Sequence, residues 1–225
     1  MAERFLTVEL RVVGVGRVDV AAARRERYPR PAALPEVEPG SLDEDLARRD
    51  FTVNTLAVGL AGPVREGLLG HPAALEDLRD RRIRVLQAAS FRHAPTRLLR
   101  GVTLEVGLGG RRVPATERLA GEAIAEGRLE QISGPRVWPE IDAALTAGAR
   151  VARTLDRWRG LGLFEALLPP PPAIGETLAR VRSALALAER LVAAGGRLEA
   201  GGATAVTLAA LAWDWSGAST ARWLD

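Results

Sequence analysis

Every positive side chain in this sequence is an arginine, and several arginines stand where a phosphate could be gripped. A guanidinium is planar, permanently charged and forked, so it meets two phosphate oxygens at once, which an ammonium does not. The groups include the pair Arg97 and Arg100 and the set Arg150, Arg153, Arg157 and Arg159. Arg79, Arg81, Arg82 and Arg84, and then Arg111 and Arg112, form two more. Spaced by three and four, Arg150, Arg153 and Arg157 share one helix face and could track a nucleic-acid backbone, whereas Arg157 and Arg159 cannot face one side. A solvated helix face is the competing reading for each group. Carboxylate chemistry is sparser: Asp19 sits between Val18 and Val20 in a strand-like run, so its side chain faces away from theirs. Taken alone it reads as an exposed strand aspartate. His71 and His93, the only histidines, have no carboxylate companion and make a weak case for a metal site.

The elements that must position these residues fall into two styles. Phe5–Val13 and Arg17–Ala21 read as strands joined by Gly14-Val15-Gly16. Pro29, Pro31, Pro35 and Pro39 then predict an irregular extended segment. Ser41 with Glu44 three residues on has the capping-box pattern, opening a helix that carries Asp43 to Ala47. Thr52–Leu60 is apolar and ambiguous between strand and helix. Gly62–Pro72 is loop-like, Leu75–Arg79 a helical turn and Ile83–Leu86 a strand. From about Pro95 the pattern turns helical, with apolar residues at Leu98, Leu99, Val102 and Val106 and further helices over Thr116–Glu126, Val137–Gly148 and Val151–Leu161. Pro169–Pro172 cannot be helical and predicts a break, followed by helices over Thr177–Ala194 and Ala203–Trp213. Phe51 and the tryptophans at 138, 158, 213, 215 and 223 read as packing residues.

Composition narrows the class. A chain of 225 residues suits one large domain or two small ones. The formal charge is only +3, so the molecule as a whole barely argues for nucleic acid and the local clusters must carry that case. With no cysteine there is no disulfide and no thiolate metal site. No apolar run approaches the roughly 18–20 residues of a membrane span, and Met1-Ala2-Glu3-Arg4-Phe5 does not begin as a signal peptide does. A cytoplasmic protein without membrane contact is expected.

The run Arg48-Arg49-Asp50-Phe51-Thr52-Val53-Asn54 resembles the signature of the class II RNA nucleotidyltransferases, which include the bacterial CCA-adding and A-adding tRNA enzymes and the bacterial poly(A) polymerases. The stretch from Val18-Asp19-Val20-Ala21 through Arg24 and Tyr28 to Ser41-Leu42 is similar to the same family, as are Leu75-Glu76-Asp77-Leu78-Arg79 and Arg82-Ile83-Arg84-Val85-Leu86. The resemblance implies an α+β fold: a partial nucleotidyltransferase head of mixed or antiparallel sheet with helices over 1–90, an all-α neck for nucleotide selection and RNA binding over 91–168, and a truncated all-α body over 169–225. It implies transfer of AMP or CMP from a nucleoside triphosphate to an RNA 3′-hydroxyl, with release of pyrophosphate. Partners would be ATP or CTP and an RNA, tRNA foremost, and the cofactor Mg²⁺. By resemblance Asp19 is the family's third metal carboxylate, and hence both catalytic and metal-binding. Arg24, Arg49, Asp50, Asn54, Arg97 and Arg100 match nucleotide-site positions, with a surface arginine the rival reading for Arg24. For Arg49 the rival is a salt bridge to Asp50, Asp45 or Glu44.

The sequence also departs from the family. The family's Gly-Ser turn and Asp-x-Asp pair precede its Asp19 position by several tens of residues, so the chain is expected to be N-terminally truncated, with a separate N-terminal catalytic segment as a possible partner. The base-selecting element Glu-Asp-Pro-x-Arg-x-Leu-Arg stands here as His93-Ala94-Pro95-Thr96-Arg97-Leu98-Leu99-Arg100. Gly70 replaces an acidic residue, Ala73-Ala74 replaces a glycine pair, and Gly107-Leu108-Gly109-Gly110 stands where the family favours an aromatic after Leu-Gly. Three readings follow: a nucleotidyltransferase-family protein lacking the Asp-x-Asp site, and inactive as an isolated chain; a non-catalytic RNA-binding remnant; and a gene fragment with no selected activity. The altered selection element gives a direct test. Ala94→Asp puts a carboxylate beside Arg97 and should raise discrimination of ATP and CTP over GTP and UTP by about 1–3 kcal/mol per recovered contact. Titration of all four triphosphates against parent and variant, with a family N-terminal segment supplied, checks it.

Overall fold

The computed structural model describes residues 7–146, 150–167, 174–194 and 202–213. Within them the chain is α+β, with every strand but one before residue 90 and a run of packed helices after it. The expected mixed or antiparallel sheet takes the form, among the described residues, of four separate ladders, three antiparallel and one parallel. Strands β1 (Thr7–Val12) and β2 (Gly16–Ala21) pair with Glu9 opposite Asp19 and Thr7 opposite Ala21. One face of this hairpin leaves Val8, Leu10, Val12 and Val20 exposed.

The proline-rich stretch departs from expectation. It holds a second hairpin, β3 (Arg24–Arg27) with β4 (Glu36–Pro39). Pro29, Pro31 and Pro35 fall in its connection and Pro39 at its end, where a missing N–H disturbs little. Charge holds the ribbon together: Arg25 lies opposite Glu38 and donates to it at 2.7 Å. Helix α1 (Leu42–Ala47) has the capping box that Ser41 announced, the Ser41 hydroxyl accepting from the Glu44 N–H at 3.2 Å and the Glu44 carboxylate accepting from the Ser41 N–H at 2.7 Å. The ambiguous segment after it resolves into a 3-10 turn, Thr52–Thr55, and a two-residue strand β5 (Ala57–Val58) paired with β6 (Leu68–Leu69).

Helix α2 (Ala74–Arg79) leads into β7 (Arg82–Ile83), which runs parallel to β8 (Arg111–Arg112). Between them lie α3 (Ser90–His93) and α4 (Arg97–Leu108). Helix α4 ends at Gly109 in the left-handed conformation, and Gly110 then lies so flat on the Arg81 carbonyl that a Cβ there would come within 2.2 Å of the oxygen. Helices α5 (Pro114–Ala125), α6 (Gly134–Leu145), α7 (Val151–Leu161), α8 (Leu163–Leu167), α9 (Ile174–Ala193) and α10 (Gly202–Ala212) complete the bundle. The expected α7 bounds match the structure; α6 begins at Gly134, three residues before the expected Val137, its expected end at Gly148 lies outside the described residues, and α8 was not foreseen. The Pro169–Pro172 break, Trp215 and Trp223 lie outside the described residues.

One core runs from Phe51 through Ile83, Phe91, Leu98, Leu99 and Val102 to Leu155, Trp158, Phe164 and Leu211. Phe51 meets Phe91 with ring centroids 6.4 Å apart, and Trp158 meets Phe164 edge-on at 6.2 Å. Trp213 departs from the packing expectation, being 75% exposed under the Arg180 guanidinium. Because Phe51 is fully buried where the N-terminal ladders meet α4, Phe51→Ala should lower unfolding free energy by about 3–5 kcal/mol, read by urea titration.

Candidate functional site

Site geometry begins at the segment that follows α1. Asp50 is almost fully buried, and such a carboxylate must be paired. Its Oδ1 accepts the Phe51 N–H at 2.8 Å and the Asn54 amide at 2.9 Å, which winds residues 50–54 into a tight turn. Its Oδ2 accepts from Arg100 of α4 at 3.2 Å, and Arg100 also donates to Glu140 of α6. Burial opposes the charge on Arg100, but Glu140 and Asp50 outweigh it and hold its pKa above the ordinary value. Arg97 donates to the Ser90 hydroxyl at 2.8 Å and to the Arg48 carbonyl at 2.7 Å. Two arginines one turn apart on α4 are thus clamped onto the segment Arg48–Asn54.

Behind that segment lies a second brace. Asp45 accepts from Arg48 at 2.6 Å, from Arg49 at 2.9 Å and from the Arg24 N–H at 3.3 Å. Arg48 and Arg24 also share Glu26 Oε1, at 2.9 and 3.0 Å. Together these elements enclose an open cleft of about 410 Å³ lined by Thr7, Ala21, Arg24, Arg48, Arg49, Asp50, Asn54, Arg97 and Arg100. Five arginines and Asp50 line it, and Glu26, Asp45 and Glu140 pair with those arginines. The surplus is positive at the lining, and the arginines are held in place before any anion arrives. Arg49 spends one Nη on Asp45 and keeps a 43% exposed side chain, so the salt-bridge and phosphate readings of this residue are compatible.

All six residues expected at the nucleotide site line this one cleft. Arg48 was not singled out, although it belongs to the signature run; its partners Glu26 and Asp45 are what fix it there. Asp77, fully buried, accepts from Thr52 at 2.7 Å and from Arg84 at 2.8 Å, tying α2 to the turn. Two expected residues are placed otherwise. Asp19 is outside the cleft lining: it is exposed and paired with Arg17 at 3.2 Å, two residues from Ala21 on the same strand face. Across the hairpin stands Glu9, which also approaches Arg17. Two exposed carboxylates that share one arginine are too few to hold a pair of Mg²⁺ ions, and among the described residues no three His, Cys, Asp or Glu side chains converge on a metal position. Arg157 turns inward and donates to Glu105 at 3.1 Å and to Glu117 at 2.7 Å, against the fully buried Arg112. It is therefore not available to track RNA, whereas Arg150 and Arg153 remain exposed. His93 stacks on Tyr28 at 5.1 Å, and His71 Nδ1 accepts the Ala73 N–H at 3.1 Å.

An arginine-lined cleft at the junction of small ladders and a helical bundle has the chemistry to hold a polyphosphate. Residues 2–84 match the model of the Poly A polymerase head domain. The A-adding tRNA nucleotidyltransferase of Aquifex aeolicus is 37% identical over 164 residues, covering 73% of this chain and 20% of that protein. The CC-adding enzyme of Deinococcus radiodurans is 35% identical over 190 residues, covering 77% of this chain and 50% of that protein. A solved apo CCA-adding enzyme superposes with TM-score 0.84 at 30% identity over 99% of this chain and 52% of its own. A tRNA nucleotidyltransferase bound to a primer tRNA and an incoming ATP analogue gives 0.81 at 26% identity, over 97% and 60%. The chain belongs to the tRNA nucleotidyltransferase and poly(A) polymerase family. It spans between a sixth and three fifths of the length of these and similar relatives. Among its described residues no helix is long and apolar enough to cross a membrane.

The brace behind the cleft has a pH signature. Burial alone would raise the Asp45 pKa, but hydrogen bonds from Arg48 and Arg49 outweigh it and hold the carboxyl below its ordinary value of 3.8. With the folded pKa below the unfolded one, the stabilisation is complete above about pH 5 and is lost as pH falls through the lower folded value. Asp45→Asn should therefore flatten the acid limb of a stability–pH curve relative to the parent, as followed by thermal unfolding between pH 6 and about pH 2.

Proposed function

We propose that this chain forms the nucleotide-holding and RNA-binding part of a tRNA nucleotidyltransferase. The reaction would move AMP or CMP from ATP or CTP to a tRNA 3′-hydroxyl and release pyrophosphate. The convergence of Arg24, Arg48, Arg49, Arg97 and Arg100 on one cleft supports this reading. Arg49 and Arg24 would meet the triphosphate, Asp50 and Asn54 would shape the ribose side, and Arg97 and Arg100 would stand toward the base. The residues before about 90 would act as head, 91–168 as neck and 169–225 as part of a body, with Arg150 and Arg153 on the RNA. The work would be cytoplasmic and Mg²⁺-dependent. The Glu9, Asp19 and Arg17 group does not fit a Mg²⁺ pair, so the ions' remaining carboxylates would come from polypeptide outside the described residues, such as a separate catalytic segment.

A second reading, a non-catalytic RNA-binding member, is favoured by that same pairing of Asp19 with Arg17. The two are separated by titrating ATP, CTP and adenosine and by following label from the triphosphate into a tRNA 3′ end, with and without a family N-terminal segment. Under the first reading Arg49→Ala weakens ATP and CTP by about tenfold, one charge-assisted contact, and leaves adenosine unchanged. Incorporation appears once the segment is supplied. Triphosphate affinity that is indifferent to Arg49, with no incorporation under complementation, would leave the binding-only reading.

A further inference from the structure

The side chain of Arg112 is wholly shielded from solvent. Burial pushes its pKa down, and Glu105 and Glu117 offset that only in part. Its fork closes on α4 at two places. Nη2 donates to the Leu98 carbonyl at 3.1 Å, and Nε lies 3.2 Å from one Glu105 oxygen. The other Glu105 oxygen accepts the Arg112 backbone N–H at 3.3 Å. Leu98 and Glu105 stand two turns apart on α4, and helical side chains lean toward the N-terminus, so one guanidinium can reach both. Between them, Nη2 lies 3.1 Å from where a Cβ on Gly101 would be, and the Phe51 ring lies 3.0 Å from the same point. Nε and Nη1 make no hydrogen bond, so the contact of Nε with Glu105 is an ion pair alone.

Such a group is an inefficient way to hold a core together. A charge taken out of water with donors left unpaired commonly gains nothing over an apolar side chain of similar volume. Nor is Arg112 needed to neutralise Glu105, because Arg157 already meets both oxygens of that carboxylate, at 3.1 and 3.2 Å. What the guanidinium does supply is a fixed distance. Arg112 lies in β8 opposite Ile83 of β7. The segment that continues from β7 holds the turn at the cleft: the Thr52 N–H donates to the Arg84 carbonyl at 2.9 Å and the Leu86 N–H to the Asp50 carbonyl at 3.3 Å. Arg97 and Arg100 belong to the turn of α4 that Arg112 grips. Turn, β7, β8 and α4 are thus joined in a closed loop of contacts, and Arg112 is the link between β8 and the helix.

We propose that Arg112 is a positioning residue for the nucleotide site, holding α4 at the axial setting from which Arg97 and Arg100 reach the cleft. The proposal rests on the reading above that those two arginines stand toward the base. Arg112→Met keeps the volume, leaves Glu105 with Arg157, and so separates positioning from packing. Urea titration of the whole chain should find this variant as stable as the parent or more so. Its ATP affinity should fall about tenfold. Inorganic tripolyphosphate, which makes no use of the base-side arginines, should bind as it does to the parent. The loss should run through Arg97: in an Arg97→Ala background Arg112→Met should cost less than about twofold, and in an Arg49→Ala background its full effect. Gly101→Ala leaves every ion pair in place but presses on the same guanidinium. It should show the same contrast between ATP and tripolyphosphate, and it carries the test if Arg112→Met does not fold. Unchanged ATP affinity in the folded variants overturns the proposal. So do equal losses for the two ligands, or a loss undiminished when Arg97 is absent. A parent in which the adenosine moiety adds nothing to tripolyphosphate binding defeats the base-side reading instead. The seat of α4 is then read from hydrogen exchange of the Arg100 Nε–H, which donates to Glu140. Faster exchange in Arg112→Met upholds the positioning role, and parental exchange sinks it.

Discussion

Asp50 is the point on which the arrangement turns. A carboxylate this deeply buried is tolerable only when its oxygens are satisfied, and its partners come from two directions. The Phe51 N–H and the Asn54 amide are local and set the turn; Arg100 is remote and sets the distance to α4. Removing any of the three would leave the others facing an undersatisfied charge, so turn and helix are coupled. Phe51 uses the coupling. Its backbone is pinned by Asp50, and its ring drives into the core beside Phe91 and the side-chain-free face of Gly101, where a Cβ would come within 3.0 Å of it. Apolar burial and ionic pairing thus fix the same joint from opposite sides.

The cleft inherits its character from that joint. Its arginines are not loose surface cations: each donates to a carboxylate, a carbonyl or a hydroxyl of the protein. The entropy of holding long side chains still is spent on internal contacts before a ligand binds, which is why a preorganised site binds an anion better than an equal number of mobile arginines. The acidic residues behind the wall serve the same end. Asp45 and Glu26 lower the net charge of the region, yet they aim Arg48, Arg49 and Arg24, and direction matters more than surplus charge when the ligand is a polyphosphate.

Much of this was legible in the sequence, for reasons that differ by residue. Ser41 and Glu44 announced their capping box because its contacts are three residues apart, and Val151–Leu161 declared itself through periodicity. The grouping of Arg24, Arg49, Asp50, Asn54, Arg97 and Arg100 in one cleft was reachable only through the resemblance. The contact from Arg97 to the Arg48 carbonyl spans 49 residues, and no local pattern encodes it. Arg157 was misread for the same reason. Its spacing from Arg150 and Arg153 is a true helical face, but Glu105 and Glu117, brought in from α4 and α5, turn it inward. The β3–β4 hairpin escaped because prolines were read as excluding a strand, when they mark its loop and its end.

The inward turn of Arg157 and the outward exposure of Arg150 come from one packing event. Helix α7 lies against α4, and the buried Arg112 needs a counter-charge that Glu105 supplies from α4. A second cation is then required to balance Glu105 and Glu117 together, and Arg157 meets it. With that set closed, neither Glu105 nor Glu117 is left to serve Arg150. Satisfying the interior therefore turns Arg157 inward, while Arg150 at the start of the same helix stays exposed.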